Sequence, residues 1–460
     1  MTDPKDVQSW LDSNLGRLAA ERGVPGASVA VLAGGRRFAA ATGVTSTTTG
    51  VPVDTDTVFQ IGSITKLWTS ALVMQLVDDG LVDLDQPVRA HLPEFAVGDA
   101  VAAAAITPRQ LLCHTAGFEG DVFTDTGRGE DAVERYVASI GGIPQLFPAG
   151  EFFSYNNTGF VVLGRLVEVL RGLPYDEVLM RRLAAPLALP RVCPSPYEAI
   201  VHRAAVGHLT GDDGRPVPTA TWALPRSNAP AGSMLAMTPG DLVGFAAMHL
   251  AGGTAADGTL ILAPQTVAAM QQPQVTVPEL AMMGGSWGLG WERDVYDGRT
   301  VVGHDGGTIG QAAFLRVVPD AGVAVALLTN GGDVIGLYRD VVGHLLEQLA
   351  GIVLPGPRVP PAAPVAFDAA PYLGRYADTI YDITVSRDTD GTVWLDRVPK
   401  DVLAGLEQPL RTRLVRYSPD CLISAEPHHG VHLVFAFIGR DGAGRCQYIH
   451  YGRAVARTAD

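Results

Sequence analysis

The chain has 460 residues, of which 47% are hydrophobic and 18% are charged, so it has enough apolar material for a large core and is not intrinsically disordered. Its 34 basic and 48 acidic residues give a formal net charge of −14, and no basic run or basic and aromatic patch stands out, which argues against nucleic acid as a partner. At this length we expect two or three domains.

The N-terminal segment MTDPKDVQSWLDSNLGRLAAERG carries early acids and lacks the apolar core of a signal peptide. No apolar run is long enough to span a bilayer. We therefore expect a cytoplasmic protein with no membrane association.

No metal site or cofactor is expected either. His428, His429 and His432 lie in EPHHGVHL, where no acidic or cysteine partner stands at ligand spacing, so surface histidines are expected. The cysteines are widely spaced and form no CxxC motif, which favours free buried thiols at Cys113, Cys193, Cys421 and Cys446.

In chain order, strand patterns come first. ASVAVLAGGRRFAAATG (27–43) alternates apolar and small or polar residues around a Gly-Gly turn, which predicts a hairpin. Helical periodicity follows, with an apolar face from Ile64 to Val77 and Gly80 as a left-handed cap. Further helices are predicted within 106–118, 158–187 and 229–252. The last of these has Thr238 as its predicted N-cap and Pro239 in its first turn.

Strands return in 286–332, where a Pro-Asp-Ala-Gly turn separates two of them. Strands at both ends and helices between them predict one sheet built from both chain ends and backed by helices, an α/β fold. The proline-rich segment 351–367 is expected to be a semi-rigid linker. Residues 368–460 show short alternating runs separated by glycine-rich turns, which predict a small antiparallel β-barrel.

Lysine is rare in this chain, which has only Lys5, Lys66 and Lys400. Lys66 follows Ser63 by three residues, so at a helix N-terminus both would lie on one face, about 5–6 Å apart between Cβ atoms. Unlike arginine, a buried lysine can lose its proton and then accept one from serine. A capped helix with a solvated lysine is the alternative explanation, because Ser-x-x-Lys is common by chance.

Two more segments carry candidate site residues. FPAGEFFSYNNTGF places Tyr155 and Asn157 on a turn before a helix, where both can face one cleft, although a core tyrosine and a helix cap would give the same pattern. GRTVVGHDGGTIG places His304 at a predicted strand end, followed by Gly306 and Gly307. Such a backbone can approach a substrate closely and offer an N–H to an oxyanion, although a structural histidine is an alternative.

In this order, Ser63-Ile-Thr-Lys66, Tyr155-Asn-Asn157 and His304-Asp-Gly306 resemble the three motifs of the serine β-lactamase and penicillin-binding-protein superfamily. The phrases DGLVDLDQPVRAHLPEF, ITPRQLLCHTAGF and NAPAGSMLAMTPGDLVGF are similar to its class C branch. The resemblance implies a β-lactamase-like antiparallel sheet flanked by helices, with an all-helical subdomain, over residues 1–350. It likewise implies that the barrel at 368–460 is lipocalin-like.

The resemblance also has departures. The lactamase branch usually has lysine where this chain has His304, which argues against lactamase action. Histidine there, the missing signal and the lipocalin-like segment are most similar to penicillin-binding-protein-type thioesterases that macrocyclise nonribosomal peptides. The implied substrate is a linear peptide thioester on the phosphopantetheinyl arm of a carrier protein, usually with a D-residue or glycine at its acylating end.

The implied mechanism is nucleophilic. Ser63 attacks the thioester, and Lys66 with Tyr155 takes its proton. Asn157 orients Lys66, and His304 supports the tyrosine. The backbone N–H groups of Ser63 and Gly307 hold the oxyanion, with Gly306 beside the substrate.

The barrel is expected to form one wall of the pocket, with Arg445 as a candidate substrate contact or else an exposed turn arginine. A D-specific peptidase or esterase of the same fold, in which water replaces the amine, is the first alternative. A non-catalytic binding protein is the second. Peptide length and sequence, and the oligomeric state, do not follow from the sequence.

Overall fold

In this computed structural model the described residues are 4–280, 282–400, 404–405, 407–428 and 430–458. Eight strands form the main sheet, in the order β2-β1-β12-β11-β10-β9-β8-β7, and every pair is antiparallel. These strands are β1 Gly26–Ala33, β2 Arg36–Gly43, β7 Val275–Thr276, β8 Ser286–Trp287, β9 Glu292–Tyr296, β10 Arg299–Thr308, β11 Gln311–Val318 and β12 Val323–Thr329. The N-terminal hairpin thus pairs with a strand from residues 323–329, as predicted.

Helices cover both faces of this sheet, and two separate apolar cores result. The helices are α1 Pro4–Glu21, α2 Thr65–Asp78, α3 Ala100–Ala105, α4 Pro108–Leu112, α5 Ala132–Ser139, α6 Asn157–Arg171, α7 Tyr175–Leu179, α8 Pro196–Ala199, α9 Pro239–Leu250, α10 Pro264–Met270, α11 Val334–Tyr338 and α12 His344–Ala350. The outer core lies between the sheet and α1, α11 and α12, and the inner core contains α2, α6 and α9. Two short pairs complete the strands, β3 Phe59–Gln60 with β6 Ala236–Met237 and β4 His208–Thr210 with β5 Pro216–Pro218.

The helix ends follow the predicted signals in part. Gly80 has φ +70° just beyond α2, and the Thr238 side chain caps α9 ahead of Pro239, so both predictions are confirmed. The helices predicted within 158–187 are present, and α6 ends at Arg171 with Gly172 as its left-handed cap at φ +66°. After that break α7 runs on into a π-helical turn at Met180–Ala184.

Beyond α12, the segment 351–367 contains no helix or strand. Eight strands then close a barrel in sequence order, with β13 paired to β20. They are β13 Gly374–Ala377, β14 Tyr381–Arg387, β15 Val393–Pro399, β16 Leu410–Ser418, β17 Cys421–Ser424, β18 Val434–Arg440, β19 Cys446–His450 and β20 Ala454–Arg457. The predicted fold class, an α/β unit followed by an antiparallel barrel, is confirmed.

The barrel packs against the α/β unit through a shared apolar cluster. Alternation along β17 sends Leu422 into the barrel interior, whereas Cys421 and Ile423 face outward and contact the cluster that contains Phe153 and Trp287. This contact explains why all four residues of β17 are buried. The four cysteines are free and buried, as predicted.

Candidate active site

Ser63 lies in a 3₁₀ turn, Gly62–Ile64, immediately before α2. Two glycines from other segments lie close against the backbone of this turn. A Cβ on Gly232 would meet the Gly62 carbonyl oxygen at 2.3 Å, and a Cβ on Gly306 would meet the Ile61 carbonyl oxygen at 1.9 Å. Only glycine allows such an approach. The serine is therefore held between the end of β10 and the loop at Gly232.

Lys66 is fully buried one turn after Ser63. Its Nζ donates to the Asn157 side-chain oxygen and to the Ala231 carbonyl oxygen, both at 2.6 Å, and lies 3.0 Å from Ser63 Oγ. A neutral amine has two protons and one lone pair. When the amine is neutral, donation to the two acceptors leaves its lone pair free to accept the Ser63 proton.

The electrostatic setting of Lys66 supports the same protonation state. Burial lowers the pKa of Lys66 well below its usual value, and the positive charge of Arg453 lowers it further, whereas Asp121 opposes both effects. Desolvation comes first because no water-filled shell remains around an amine that is 0% exposed. Burial and the charge of Arg453 thus both favour the neutral form of the amine next to Ser63.

Asn157, the first residue of α6, connects Lys66 to a buried ion pair. Its side-chain nitrogen donates to Asp121 Oδ1 at 2.6 Å. Asp121 also accepts from Arg453 Nε at 2.7 Å, and Arg453 comes from the hairpin between β19 and β20 of the barrel. A continuous polar path therefore runs from Ser63 to the barrel.

Tyr155 stands among aromatic and cationic groups. The Arg453 guanidinium lies 4.7 Å from its ring centroid and Lys66 Nζ lies 4.9 Å from it. Its hydroxyl is buried without a hydrogen bond among the described residues, although the Ser63 hydroxyl is near enough to lower its pKa. Burial outweighs this contact and raises the pKa of Tyr155, so the phenol is protonated at neutral pH.

His304 reaches this group from β10. The prediction that it ends a strand is wrong, because it is the sixth residue of β10, which continues through the glycines to Thr308. Its Nδ1 lies 2.6 Å from the Asp305 carbonyl oxygen, and its ring lies 6.1 Å from that of Tyr155. Burial lowers the pKa of His304 to about 3, so the ring is neutral.

The two glycines after His304 differ in what surrounds them. Gly306 packs on the backbone before Ser63, whereas a Cβ on Gly307 would meet nothing within 4 Å. Ser63 and Gly307 both line the cavity described next. Their N–H groups are the two donors that the sequence predicted for an oxyanion.

A cavity of about 960 Å³ opens in front of Ser63. Part of its lining comes from the α/β unit, including Tyr155, Met283 and Trp287, and part comes from the barrel, including Leu433 and Phe435. The expectation that the barrel forms one wall is thus confirmed. Aromatic and aliphatic walls of this kind suit the apolar parts of a ligand.

The barrel also holds the segment that leads to Tyr155. Tyr155 N–H donates to the Gly452 carbonyl oxygen at 3.0 Å, and Ala454 N–H donates to Ser154 Oγ at 3.1 Å. The His450 ring nitrogen lies 2.8 Å from the Phe153 carbonyl oxygen. The position of Tyr155 therefore depends on the barrel hairpin.

The structure brings together Ser63, Lys66, Tyr155, Asn157, His304 and both glycines, but not Arg445. Arg445 lies between β18 and β19, forms an ion pair with Asp441 at 2.9 Å and is absent from the cavity lining. The arginine at the site is Arg453, eight residues later, and its partner is Asp121. Sequence reasoning missed both, because neither spacing nor a local motif marks a pair so distant along the chain.

Of the three histidines in EPHHGVHL, His429 lies outside the described residues. His428 N–H bonds to the Val431 carbonyl oxygen in a turn, and His432 lines the cavity. In the described part of the chain, no helix combines the length and the apolar character that a bilayer crossing requires.

A family model described as beta-lactamase matches residues 11–344 of the chain. The chain belongs to this beta-lactamase family. Penicillin-binding protein 4 of Amycolatopsis lactamdurans is 43% identical over 375 residues, which cover 81% of this chain and 98% of that protein. Both the family and the geometry identify a serine enzyme with the β-lactamase fold, a hydrolase or transferase that works through an acyl-enzyme.

Two further relatives bear on the chemistry. The chain is 30% identical in sequence to SurE, whose crystal structure matches it with a TM-score of 0.80 over 99% of both chains. The structure of SurE with D-Leu matches with 31% identity and a TM-score of 0.78. This match includes the barrel. The unguisins hydrolase ungD of Aspergillus violaceofuscus is 24% identical over 332 residues, which are 67% of this chain and 58% of that protein.

Proposed function

We propose that the chain is a serine acyltransferase that takes a linear peptidyl thioester onto Ser63 and releases the peptide by head-to-tail macrolactamisation. The observation that carries this proposal is the buried amine of Lys66, 3.0 Å from Ser63 Oγ, in a cavity walled on one side by the barrel. In this proposal, residues 1–350 are the catalytic domain, residues 351–367 are the linker and residues 368–460 are a lipocalin-like barrel.

Acylation begins with transfer of the Ser63 proton to Lys66 Nζ as Oγ forms a bond to the thioester carbonyl carbon. Asn157 and the Ala231 carbonyl oxygen hold the other two sides of the amine, so its lone pair stays directed at the serine. The carbonyl oxygen becomes an anion between the N–H groups of Ser63 and Gly307. Such donors are typically worth about 3–4 kcal/mol each in the transition state.

Collapse of this intermediate breaks the carbon–sulfur bond, and the thiolate leaves with the proton from Lys66. The peptide's own amine then attacks the ester carbonyl, loses a proton to Lys66 through Tyr155, and Ser63 departs with that proton. The neutral ring of His304 keeps its edge toward the tyrosine without adding charge.

Ring closure competes with water. Well-oriented intramolecular groups reach effective molarities of about 10⁵ M or more, so a folded peptide outcompetes bulk water when the walls exclude most of it. The aromatic and aliphatic cavity walls support this, and so does the similarity to SurE over 99% of both chains. D-Leu bound to SurE supports a D-residue at the acylating end.

Hydrolysis of the same acyl-enzyme is the second candidate function. The similarity to an unguisins hydrolase favours it, because the same residues would form the ester and water would replace the amine. A carrier-protein-bound thioester as substrate and a cytoplasmic location are part of the first proposal.

The test is to incubate the purified protein with a peptidyl N-acetylcysteamine thioester that has a D-residue at its C-terminus. Mass spectrometry of the product separates the outcomes, since a macrocycle has lost only the thiol whereas a hydrolysed peptide is heavier by one water. Macrocycle formation that Ser63→Ala abolishes is the expected result. Hydrolysis alone would favour the second candidate, and no thiol release from any such substrate would contradict both.

A further inference from the structure

A second cluster of charged residues lies on the outer face of β9, β10 and β11, and two of its members line the same cavity. Glu292 on β9 and Arg316 on β11 flank Gly303 of β10, which has no side chain to separate them. Their side chains approach to 3.9 Å, and Arg316 also donates to Asp305 Oδ1 at 2.6 Å. We call Glu292, Asp305 and Arg316 the outer-face triad.

The outer-face triad has more acidic than basic side chains. Two carboxylates share one guanidinium, and the Arg316 side chain is 10% exposed and that of Glu292 9%. Buried charges are normally paired, and an unpaired one takes up a proton instead. Burial, with the nearby charge of Asp305, raises the pKa of Glu292 despite Arg316.

Glu292 is the member without a close partner. Among the described residues its carboxyl accepts no hydrogen bond, whereas Asp305 has the short contact with Arg316. Glu292 and Asp305 line the same cavity as Ser63. Other arginines of that lining are engaged elsewhere, Arg22 with Asp333 and Asp340 and Arg453 with Asp121.

We propose that Glu292 and Asp305 form a subsite for a positively charged group of the peptide substrate, a primary ammonium or a guanidinium. The cation would replace the proton that the unpaired Glu292 holds, which is released to solvent, and would donate hydrogen bonds to the carboxylates, while Arg316 would hold Asp305 in place. This inference rests on the proposed function for the identity of the substrate. The charged group can be the N-terminal ammonium or a basic side chain.

The test uses four fluorescent peptides with the same C-terminal D-residue. One pair differs only in a free or acetylated N-terminus, and the other has ornithine or norleucine at one position. Binding is measured by anisotropy to Ser63→Ala protein, which cannot be acylated, and compared with Ser63→Ala/Glu292→Gln. We expect the cationic member of at least one pair to bind tenfold or more tightly, and Glu292→Gln to remove most of that ratio.

The matched control is Glu168→Gln, another buried carboxyl, whose pKa burial raises to about 7, which does not line this cavity. The Glu168→Gln variant should keep the same ratio of affinities between the cationic and the uncharged peptide. The melting temperatures of all variants show whether they fold. The peptide pair that shows the difference in affinity identifies whether the subsite binds the N-terminal ammonium or a basic side chain. The subsite proposal would be contradicted if both peptides of each pair bound equally, or if the affinity ratio were unchanged in the Glu292→Gln variant. Charge-dependent binding without thiol release by the wild-type protein would instead overturn the proposed function alone.

Discussion

The pKa of Lys66 depends on burial and on two opposite charges that reach it from different parts of the fold. Arg453, from the barrel, lowers the pKa of Lys66, and Asp121, from the loop after α4, raises it. The two bind each other at 2.7 Å, so neither is free to move. The base strength of the site is therefore adjusted by residues that do not touch the reacting atoms.

Changing either charge should move the pH profile of acylation in a predictable direction. Lys66 must be neutral to accept the serine proton, so the rate rises with pH through its pKa. Arg453→Gln should move this rise to higher pH, and Asp121→Asn should move it to lower pH. The rate of Ser63 labelling by a fluorophosphonate across pH measures both. Arg445→Gln, which alters an exposed ion pair of the same barrel, is the control. Shifts of both variants in the same direction would contradict the assignment.

A buried histidine should make the folded protein less stable in acid. His249 lies between Phe245 and Trp291, and neither ring nitrogen has a hydrogen-bond partner in the described part of the chain. Burial lowers its pKa to about 3. Below the unfolded value of about 6.5 the unfolded chain binds the extra proton, so stability falls as the pH falls.

His249→Leu should therefore remove about 1.4 kcal/mol of the stability lost between about pH 7.5 and about pH 5.5. Urea unfolding at the two pH values measures this difference. Phe245→Leu changes the same core without a titratable group and should keep the full pH dependence. An unchanged dependence in His249→Leu would show that the ring is protonated in the folded protein.

How much the sequence can predict differs between these residues. Ser63 with Lys66, and Tyr155 with Asn157, lie in local motifs, and the structure brings them together as expected. Asp121 and Arg453 could not be found in this way, because their contact joins segments more than three hundred residues apart. Arg445 was chosen for its glycine-rich turn, a feature that does not determine which turn faces the cavity.

At the scale of elements, the site is a junction between β10 and the 3₁₀ turn before α2. The strand continues past His304 because its glycines allow it to lie against the backbone at Ile61. Sequence reasoning placed a strand end there because paired glycines usually interrupt strands. The tertiary contact with the turn overrides that local preference.

Gly306 and Gly307, adjacent in β10, should therefore respond differently to alanine. Gly306→Ala would place a Cβ 1.9 Å from the Ile61 carbonyl oxygen, so we expect a loss of about 2 kcal/mol or more in the free energy of unfolding and loss of Ser63 labelling. Gly307→Ala, with nothing within 4 Å, should keep its stability within about 0.5 kcal/mol. Thermal and urea unfolding measure both. Equal stability of the two variants would contradict the described packing.

At the scale of the whole molecule, the barrel and the α/β unit share a core. Ile423 and Val434 of the barrel contact the cluster of Phe153 and Trp287, and hydrogen bonds from backbone and side-chain groups fix the hairpin to residues 153–155. The alternating runs and glycine-rich turns of 368–460 predicted a barrel, but not which of its residues pack on the α/β unit. Only the outward-facing apolar residues of β17 hint at it, and alternation alone does not say what covers them.

This shared core predicts cooperative unfolding. Trp394 lies in the barrel, whereas the buried Trp68, Trp287 and Trp291 lie in the α/β unit. Fluorescence of a Trp394→Phe variant and far-ultraviolet circular dichroism should give the same urea midpoint. The double variant Ile423→Ala/Val434→Ala should separate the two midpoints. Separate midpoints in the protein with an intact interface would show that the units unfold independently.

The contribution of Arg453 also has a consequence during protein synthesis. The ribosome makes the nucleophile and its amine early, but the guanidinium that stands over Tyr155 emerges only after almost all of the α/β unit and barrel have been translated. A nascent chain that has folded its first three hundred and fifty residues still lacks the hairpin that fixes Tyr155. Translation products that stop before Arg453 should consequently show no labelling of Ser63 by a fluorophosphonate.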